Sequence, residues 1–321
     1  MKEKQMIIRK RPKPVVLEKM DALNQRVSPS TKRRIALDEE LARRYKGFYG
    51  EQKVDRFMET YFAHRFTILH DVSLIIDGFK VQIDTILITN HALFIIEIKN
   101  FNGTITFNTI LNQFTRDDGH TETGFRHPIT QAETIQLHLS KWLHDQNLYD
   151  IPVYFFVAIS EPSTIIKVIG NEQYIANIVA HGEHIPKKIE QMDERIEKEG
   201  QARIKGQKIG RALLRDCREF EMDILRKNNV KKAEIKVGVI CPKCGVLGME
   251  RHHSCWKCTK CNMQSKNAHI RTLKEYFLLF QPWITNEECM RFLGIQSHSL
   301  ATRLLKSSGL KYEPKHRRWI K

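Results

Sequence analysis

The residues with the clearest potential for chemistry lie in the segment VQIDTILITNHALFIIEIKN, where two apolar runs flank the pair Asn90-His91. A two-residue turn at this pair would make the runs an antiparallel hairpin in which paired residue numbers add up to 181. In that register Asp84 faces Glu97, with Cβ atoms about 4.5–5.5 Å apart. Lys99 lies two residues after Glu97 and therefore on the same face of its strand.

Two opposed carboxylates repel each other, and burial strengthens the repulsion because the charged groups lose water. A divalent cation held by Asp84 and Glu97 would relieve it, and Mg²⁺ or Mn²⁺ prefers oxygen ligands. Such an ion polarises a phosphoryl oxygen and lowers the pKa of a bound water. Lys99 would orient that water or stabilise charge on the phosphate. The alternative is a salt-bridge ladder on a partly exposed sheet face.

A second constellation has the pattern CxxC-x13-CxxC and consists of Cys241, Cys244, Cys258 and Cys261. Four thiolates at this spacing close a tetrahedral Zn²⁺ site, as in a zinc ribbon. Four protein ligands leave no open position, so the predicted zinc is structural. Redox disulfides are the alternative, which the absence of a secretory context disfavours. Cys255, His252 and His253 are possible alternate ligands.

The flanking sequence predicts an α/β domain from about residue 40 to 185 that positions the hairpin. Its predicted elements are a helix from Leu41 to about Phe62, strands at Phe66–Ile76, Phe79–Thr89, Ala92–Lys99 and Thr104–Phe107, a loop at 112–128 with an Asp118-Gly119 turn, a helix at Thr130–Gln146 and a buried strand at Val153–Ile159.

Several short motifs follow one another in this domain, namely Gly47-x-x-Gly50-Glu51, Gln82-Ile83-Asp84, Glu97-Ile98-Lys99-Asn100 and His127-Pro128-x-x-Gln131. Together they resemble the nuclease-related domain (NERD) family over roughly residues 45–160. That family is grouped with the PD-(D/E)XK nucleases, whose restriction-endonuclease-like fold is a mixed sheet flanked by helices. The resemblance implies that Asp84 and Glu97 bind the catalytic metal and that Lys99 is the catalytic lysine.

By the same resemblance Glu51 is a further acidic member of the site, and Gln131 matches the helix glutamine of related nucleases. The chain departs from the family at two positions: His127 stands where the family motif has Asn, and Ile135 where some relatives have Tyr. Without the resemblance, Glu51 reads as a charge in the first turn of a helix and Gln131 as an exposed helix residue.

The rest of the chain is divided by composition into a basic arm (1–40), the nuclease-like domain (41–185), a helical connector (186–236), a zinc ribbon (237–267) and a helical module (268–321). In the last of these, a capped helix starts near Ile284, Leu293-Gly294-Ile295 interrupts it, and Ser297–Lys306 forms a second helix. A basic tail follows. The order resembles a helix-turn-helix with a wing; a small helical packing module is the alternative.

Charge is distributed unevenly over the 321 residues, whose net charge is +16. Residues 47–185 sum to −7, whereas residues 1–46, 186–236 and 237–321 sum to +8, +5 and +10. Basic flanks favour a polyanionic partner, here DNA, although a solvated basic surface is a common alternative. The predicted contacts are Arg251, Lys257 and Lys260 in the ribbon, His298, Thr302, Arg303 and Lys306 on the second helix, and Arg317 and Arg318 in the tail.

The composition, 41% hydrophobic and 28% charged, excludes a mostly disordered or collagen-like chain. The longest apolar runs are far short of the roughly 20 residues that span a bilayer, and no secretory signal is evident, so we expect a cytoplasmic protein without a membrane partner. The sequence thus predicts a Mg²⁺- or Mn²⁺-dependent DNA nuclease with a structural Zn²⁺. The alternative is a non-catalytic DNA-binding protein that uses an inactive nuclease-like domain for docking.

Overall fold

The computed structural model describes residues 6–28 and 32–321. Two compact units divide the chain: Met1–Pro12 with Arg44–Phe220, and Lys13–Arg43 with Glu221–Lys321. We call them the first and the second unit. They cut across the five predicted segments, whose boundaries stay a prediction.

The strands are β1 (Ile7–Arg9), β2 (Thr67–Ile76), β3 (Phe79–Ile88), β4 (Leu93–Lys99), β5 (Thr104–Asn108), β6 (Gln113–Asp117), β7 (Glu122–Phe125), β8 (Val153–Ile159), β9 (Ile165–Ile169), β10 (Val179–His181), β11 (Val239–Ile240), β12 (Leu247–Arg251), β13 (Trp256–Lys257), β14 (Gln264–Ser265), β15 (Trp283–Ile284), β16 (Lys311–Glu313) and β17 (Arg318–Ile320). The helices are α1 (Val15–Arg26), α2 (Lys32–Phe62), α3 (Pro128–Asp145), α4 (Glu172–Ile178), α5 (Ile185–Lys198), α6 (Gly206–Asp216), α7 (Ile224–Lys227), α8 (Ala268–Leu279), α9 (Asn286–Leu293) and α10 (His298–Ser307).

A six-stranded mixed sheet in the order β1-β2-β3-β4-β8-β10 forms the centre of the first unit. Strands β2, β3 and β4 run antiparallel, and the other neighbours are parallel. Residues of α2 and α5, such as Met58 and Ile189, pack into one apolar cluster with the sheet. Residues of α3 and α6, such as Leu139 and Leu213, pack into another. This mixed sheet flanked by helices confirms the predicted fold class.

The predicted hairpin is confirmed in its register as well as its position. Strands β3 and β4 pair from Thr85 with Ile96 to Ile88 with Leu93, and every pair adds up to 181. The backbone N–H of Thr89 donates to the carbonyl of Ala92 at 3.0 Å and closes the turn. The sheet therefore carries Asp84 and Glu97 on adjacent strands just beyond the last paired residues.

The predicted loop over residues 112–128 contains two strands, β6 and β7. They belong to a second sheet of the first unit, in the order β7-β6-β5-β9. That loop prediction was wrong because Phe114 is the one buried residue of β6, so the strand lacks clear alternation. The Asp118-Gly119 pair does turn the chain between β6 and β7, with Gly119 at a φ of +92°.

Two basic segments contribute helices to the cores of the two units. Residues 15–26 of the predicted arm form α1, and its Leu17, Met20 and Leu23 are buried. Arg26, fully buried, donates to Glu275 at 2.7 Å within the second unit. Helix α6, within the predicted connector, packs on the main sheet of the first unit through its amphipathic face.

In the second unit, strands β11–β14 form a small antiparallel sheet that carries the four cysteines, and α8, α9 and α10 follow it. Gly294 ends α9 at a φ of +72°, a conformation that suits glycine, and α10 begins after the capping residue Ser297. Strands β15, β17 and β16 form a three-stranded sheet after these helices. Among the described residues, no helix is long and apolar enough to cross a membrane.

The glycines of the Gly47-x-x-Gly50 motif differ sharply in their surroundings. A Cβ atom at Gly50 would lie 2.6 Å from side-chain atoms of Asn100 and Ser160, whereas one at Gly47 would meet nothing within 4 Å. We expect Gly50→Ala to lower the free energy of unfolding by about 1–3 kcal/mol through overpacking. Gly47→Ala, the matched control, should raise it by about 0.5–1 kcal/mol. Urea unfolding measures both; equal effects at the two positions would contradict this packing.

Candidate functional site

Asp84 and Glu97 lie at the point where the pairing of β3 and β4 ends. A carboxylate oxygen of Asp84, Oδ2, accepts a hydrogen bond from the backbone N–H of Ile98 at 2.8 Å. Glu97 is buried, with 2% of its side chain exposed. The strand register and this hydrogen bond therefore place the two carboxylates on neighbouring strands, where the pairing of β3 with β4 ends within the sheet.

Lys99 connects the sheet to α3. Its Nζ donates to Oε1 of Glu97 at 2.6 Å and to Oε1 of Gln131 at 3.1 Å. Gln131 lies in the first turn of α3, which Pro128 opens as a favourable first helical residue. The structure thus brings together Asp84, Glu97, Lys99 and Gln131, as the sequence predicted.

Burial and mutual repulsion raise the pKa values of the acidic groups. Burial, reinforced by the charge of Asp84, raises the pKa of Glu97 to about 7. Burial and the charge of Asp84 likewise raise the pKa of Glu51 to about 8. Burial also raises the pKa of Asp84 above its usual range, although Arg11 opposes the shift. A bound cation would relieve this repulsion because it favours the ionised forms.

Glu51 reaches the site from α2 and is held there by Arg11. Nη1 of Arg11 donates to Oε2 of Glu51 at 2.7 Å, and Nε donates to Oδ2 of Asp55 at 2.7 Å. Nη2 donates to Oδ1 of Asp55 at 3.1 Å and to the backbone carbonyl of Asp84 at 2.7 Å. Only 3% of the Arg11 side chain is exposed. A buried guanidinium therefore joins α2 to β3 beside the carboxylates.

Behind Arg11 lies a buried polar chain. Nδ1 of His70 lies 2.9 Å from Oδ1 of Asp55 and 3.0 Å from the hydroxyl of Thr85. Thr85 also donates to Oδ1 of Asp55 at 3.2 Å. On the outer side, Nε2 of His70 lies 3.4 Å from a carboxylate oxygen of Glu59. These contacts hold Asp55 in place and so fix the orientation of Arg11.

A further carboxylate, Asp71, lies opposite Asp84 in the β2–β3 register, between the pairs His70–Thr85 and Val72–Ile83. Its φ of +54° is unusual for a residue other than glycine. It accepts a hydrogen bond from Gln82 at 3.0 Å and lies 3.7 Å from Arg9. The charge of Asp71 adds to the raised pKa of Asp84.

Sequence reasoning missed Arg11, Asp55 and His70. Arg11 lies in the basic run Arg-Lys-Arg-Pro-Lys-Pro, within the predicted basic arm. Asp55 carried a usable signal, since it lies four residues after Glu51 and therefore on the same helix face. No local pattern marks His70, because only the long-range pairing of β2 with β3 brings it to Thr85.

The four cysteines form the second candidate centre. Their sulfur atoms all lie within 4.8 Å of one another, at 3.6 Å for Cys241–Cys261 and 3.5 Å for Cys244–Cys258. Ligands at about 2.3 Å around a tetrahedral Zn²⁺ would lie about 3.8 Å apart. Backbone N–H groups of Cys261 and Lys260 lower the pKa of Cys258, which favours the thiolate. The donor set therefore fits a structural zinc ion.

The acidic group is less compact than the cysteine cluster. Within residues 6–28 and 32–321, the four cysteines are the only group of three or more metal-binding side chains whose ligand atoms all lie within 4.8 Å of one another. The carboxylate oxygens of Asp84, Glu97 and Glu51 nevertheless match the preference of Mg²⁺ and Mn²⁺, which commonly take one or two carboxylates and several waters. The donor chemistry fits such an ion.

The predicted nucleic-acid contacts of the second unit fall into two groups. The exposed ones are Lys257, Lys260, His298, Arg303, Lys306 and Arg317. The others have partners within the unit: Arg251 stacks over Trp256 at 5.3 Å, Arg318 donates to Glu313 at 2.6 Å, and Thr302 accepts from Asn286 at 2.6 Å. The side chains of these three residues are therefore engaged in contacts within the second unit.

A groove of about 840 Å³ runs along α10 in the second unit. Trp319 contributes to its lining, Lys306 and Arg317 bring positive charge to it, and Glu287 brings a negative charge. The indole N–H of Trp319 donates to Asn286 at 2.7 Å, which fixes β17 against α9. The groove is therefore partly apolar, with two basic residues and one acidic residue in its lining.

Comparison with known proteins identifies one family. Residues 46–160 match the family model described as the nuclease-related domain, NERD. No curated protein and no solved structure matches the chain significantly. The matched range contains Glu51, Asp84, Glu97, Lys99 and Gln131, whereas Arg11 lies outside it. Residues 46–160 of this chain are therefore a nuclease-related domain.

Proposed function

We propose that the protein is a metal-dependent nuclease that hydrolyses phosphodiester bonds of DNA. The observation that carries the proposal is the arrangement of Asp84, Glu97 and Lys99 at one end of paired strands β3 and β4, inside the nuclease-related domain. Two carboxylates with raised pKa values beside a lysine suit a divalent cation better than a plain salt-bridge ladder, because Lys99 and Arg11 together leave the acids undercompensated.

In this proposal Asp84 and Glu97 hold Mg²⁺ or Mn²⁺, and Glu51 supports them. The ion, when bound, polarises the phosphoryl oxygen and lowers the pKa of a coordinated water. Lys99 donates hydrogen bonds to the attacking water or to a phosphate oxygen, where it stabilises negative charge. Gln131 keeps the Lys99 ammonium directed between the sheet and α3 through its 3.1 Å contact.

The second unit is proposed to bind the nucleic acid. Residues 237–321 carry 15 basic and 5 acidic side chains, which supports binding to a polyanion. The exposed basic residues on α10 and in the tail, with the groove beside them, would contact DNA, while Zn²⁺ keeps the small sheet folded. DNA as the substrate, the individual contacts and the cytoplasmic location stay predictions.

A cleavage assay on the purified, zinc-loaded chain tests this function. We expect Mg²⁺ or Mn²⁺ to support cutting of DNA. Chelation with EDTA should stop the cleavage, and addition of Mg²⁺ should restore it. Supercoiled, linear and single-stranded DNA and RNA should be compared. Salt-sensitive DNA binding without any cleavage would instead support the non-catalytic alternative, and cutting of RNA alone would overturn DNA as the substrate.

A further inference from the structure

Arg11 is a cation built into the acidic centre, although it comes from the N-terminal segment and lies outside the nuclease-related domain. Its guanidinium occupies both carboxylate oxygens of Asp55 and one oxygen of Glu51. It also donates to the backbone carbonyl of Asp84. The side chains of Arg11 and Asp55 are 3% and 8% exposed, so water competes little with this pair, whereas Glu51 is 26% exposed.

We propose that Arg11 limits this centre to a single divalent cation, which Asp84, Glu97 and Glu51 hold. The inference rests on the proposed function and specifies its metal site. The guanidinium takes the place that a second ion would need near α2, because it already satisfies Asp55 and half of the Glu51 carboxylate.

The remaining oxygen atoms support this stoichiometry. Among the described residues, Asp84 uses Oδ2 for the Ile98 N–H, Glu97 uses Oε1 for Lys99, and Glu51 uses Oε2 for Arg11. Each of these acids therefore keeps one oxygen without a hydrogen bond. Three such oxygens, completed by waters, suffice for one Mg²⁺ or Mn²⁺. A two-metal site needs additional carboxylates that bridge ions about 3.5–4 Å apart.

The net charge of the acidic cluster also favours one divalent cation. The cluster contains the carboxylates Glu51, Asp55, Asp71, Asp84 and Glu97 and, paired directly with them, the cations Arg9, Arg11 and Lys99. When all are ionised, the net formal charge is −2. One divalent cation neutralises it, whereas a second would leave a net charge of +2 in a partly buried site. Without Arg11 the same two ions would leave only +1.

Titration with Mn²⁺ alone, followed by calorimetry or by the EPR signal of free Mn²⁺, tests the inference on the zinc-loaded full chain without nucleic acid. Mn²⁺ should not displace zinc from four thiolates, because thiolates prefer the softer ion. We expect the wild type to bind one Mn²⁺. Arg11→Gln should bind two, since it frees Asp55 and Glu51, whereas Arg11→Lys should keep one because it keeps the charge.

Arg65→Gln is the matched control, since Arg65 pairs with Glu190 on the exposed surface of the same unit; it should bind one ion like the wild type. Two ions in the wild type would overturn the inference even if Arg11→Gln fails to fold. So would one ion, with unchanged affinity, in a folded Arg11→Gln variant. A wild type that binds no Mn²⁺ would instead contradict the proposed metal site itself.

Discussion

Lys99→Ala is expected to abolish metal-dependent DNA cleavage while the protein stays folded. The ammonium is the cationic donor that contacts both Glu97 and Gln131, and 22% of its side chain is exposed to solvent. Loss of a group that stabilises charge in the transition state costs about 10²–10³-fold in rate. Single-turnover cleavage at saturating Mg²⁺ measures the loss.

The fold should tolerate this change because Glu97 need not remain an unpaired buried charge. Its pKa is already raised to about 7, so the carboxyl group can take up a proton when Lys99 is absent. Lys141→Ala is a suitable control, since Lys141 pairs with Asp77 on the surface of the same unit. Cleavage at the wild-type rate by Lys99→Ala, with urea unfolding unchanged, would remove Lys99 from the mechanism.

Cys258→Ala is expected to release the zinc ion and unfold the small sheet of the second unit. Zinc binding contributes about 10–16 kcal/mol to the folding of zinc-finger peptides, which rivals the total stability of a typical domain, about 5–15 kcal/mol. Cys241 and Cys258 also belong to the apolar core of the second unit, next to Trp256, so the damage should spread beyond the four ligands.

Zinc content per chain and limited proteolysis measure this effect. The wild type should contain one zinc ion, and Cys258→Ala less than a tenth of that, with new cleavage sites within residues 237–267. Cys255→Ser is the control, because Cys255 contacts Gln264 at 3.7 Å and is not part of the four-cysteine cluster. A full zinc content in Cys258→Ala would show that the cluster is not the zinc site.

The parts of the molecule that are local in sequence were predictable. The Asn90-His91 turn between two apolar runs determines the register of β3 and β4, and this register places Asp84 beside Glu97. The spacing of the cysteines anticipates their cluster for the same reason. Both predictions depend on residues that are close together in the sequence, so tertiary packing has little influence on the strand register or on the cysteine cluster.

Features that depend on long-range contacts were not predictable. Arg11 lies 40 residues from Glu51 and 44 from Asp55, so no local pattern reveals that its charge is buried. Lysine and arginine in a basic run normally stay in water, and burial becomes favourable only with carboxylates as partners. The strand β6 was missed for a related reason, since it contributes only Phe114 to the core.

The most direct measurement compares wild type and Asp84→Ala, both with one zinc ion bound, in a Mg²⁺-dependent plasmid cleavage assay. The charge of Asp84 raises the pKa of both Glu51 and Glu97, and its Oδ2 is anchored to the β4 backbone. We predict that the wild type cuts the plasmid and that Asp84→Ala does not. Equal cleavage by both proteins would contradict a metal-dependent centre at the point where the pairing of β3 with β4 ends.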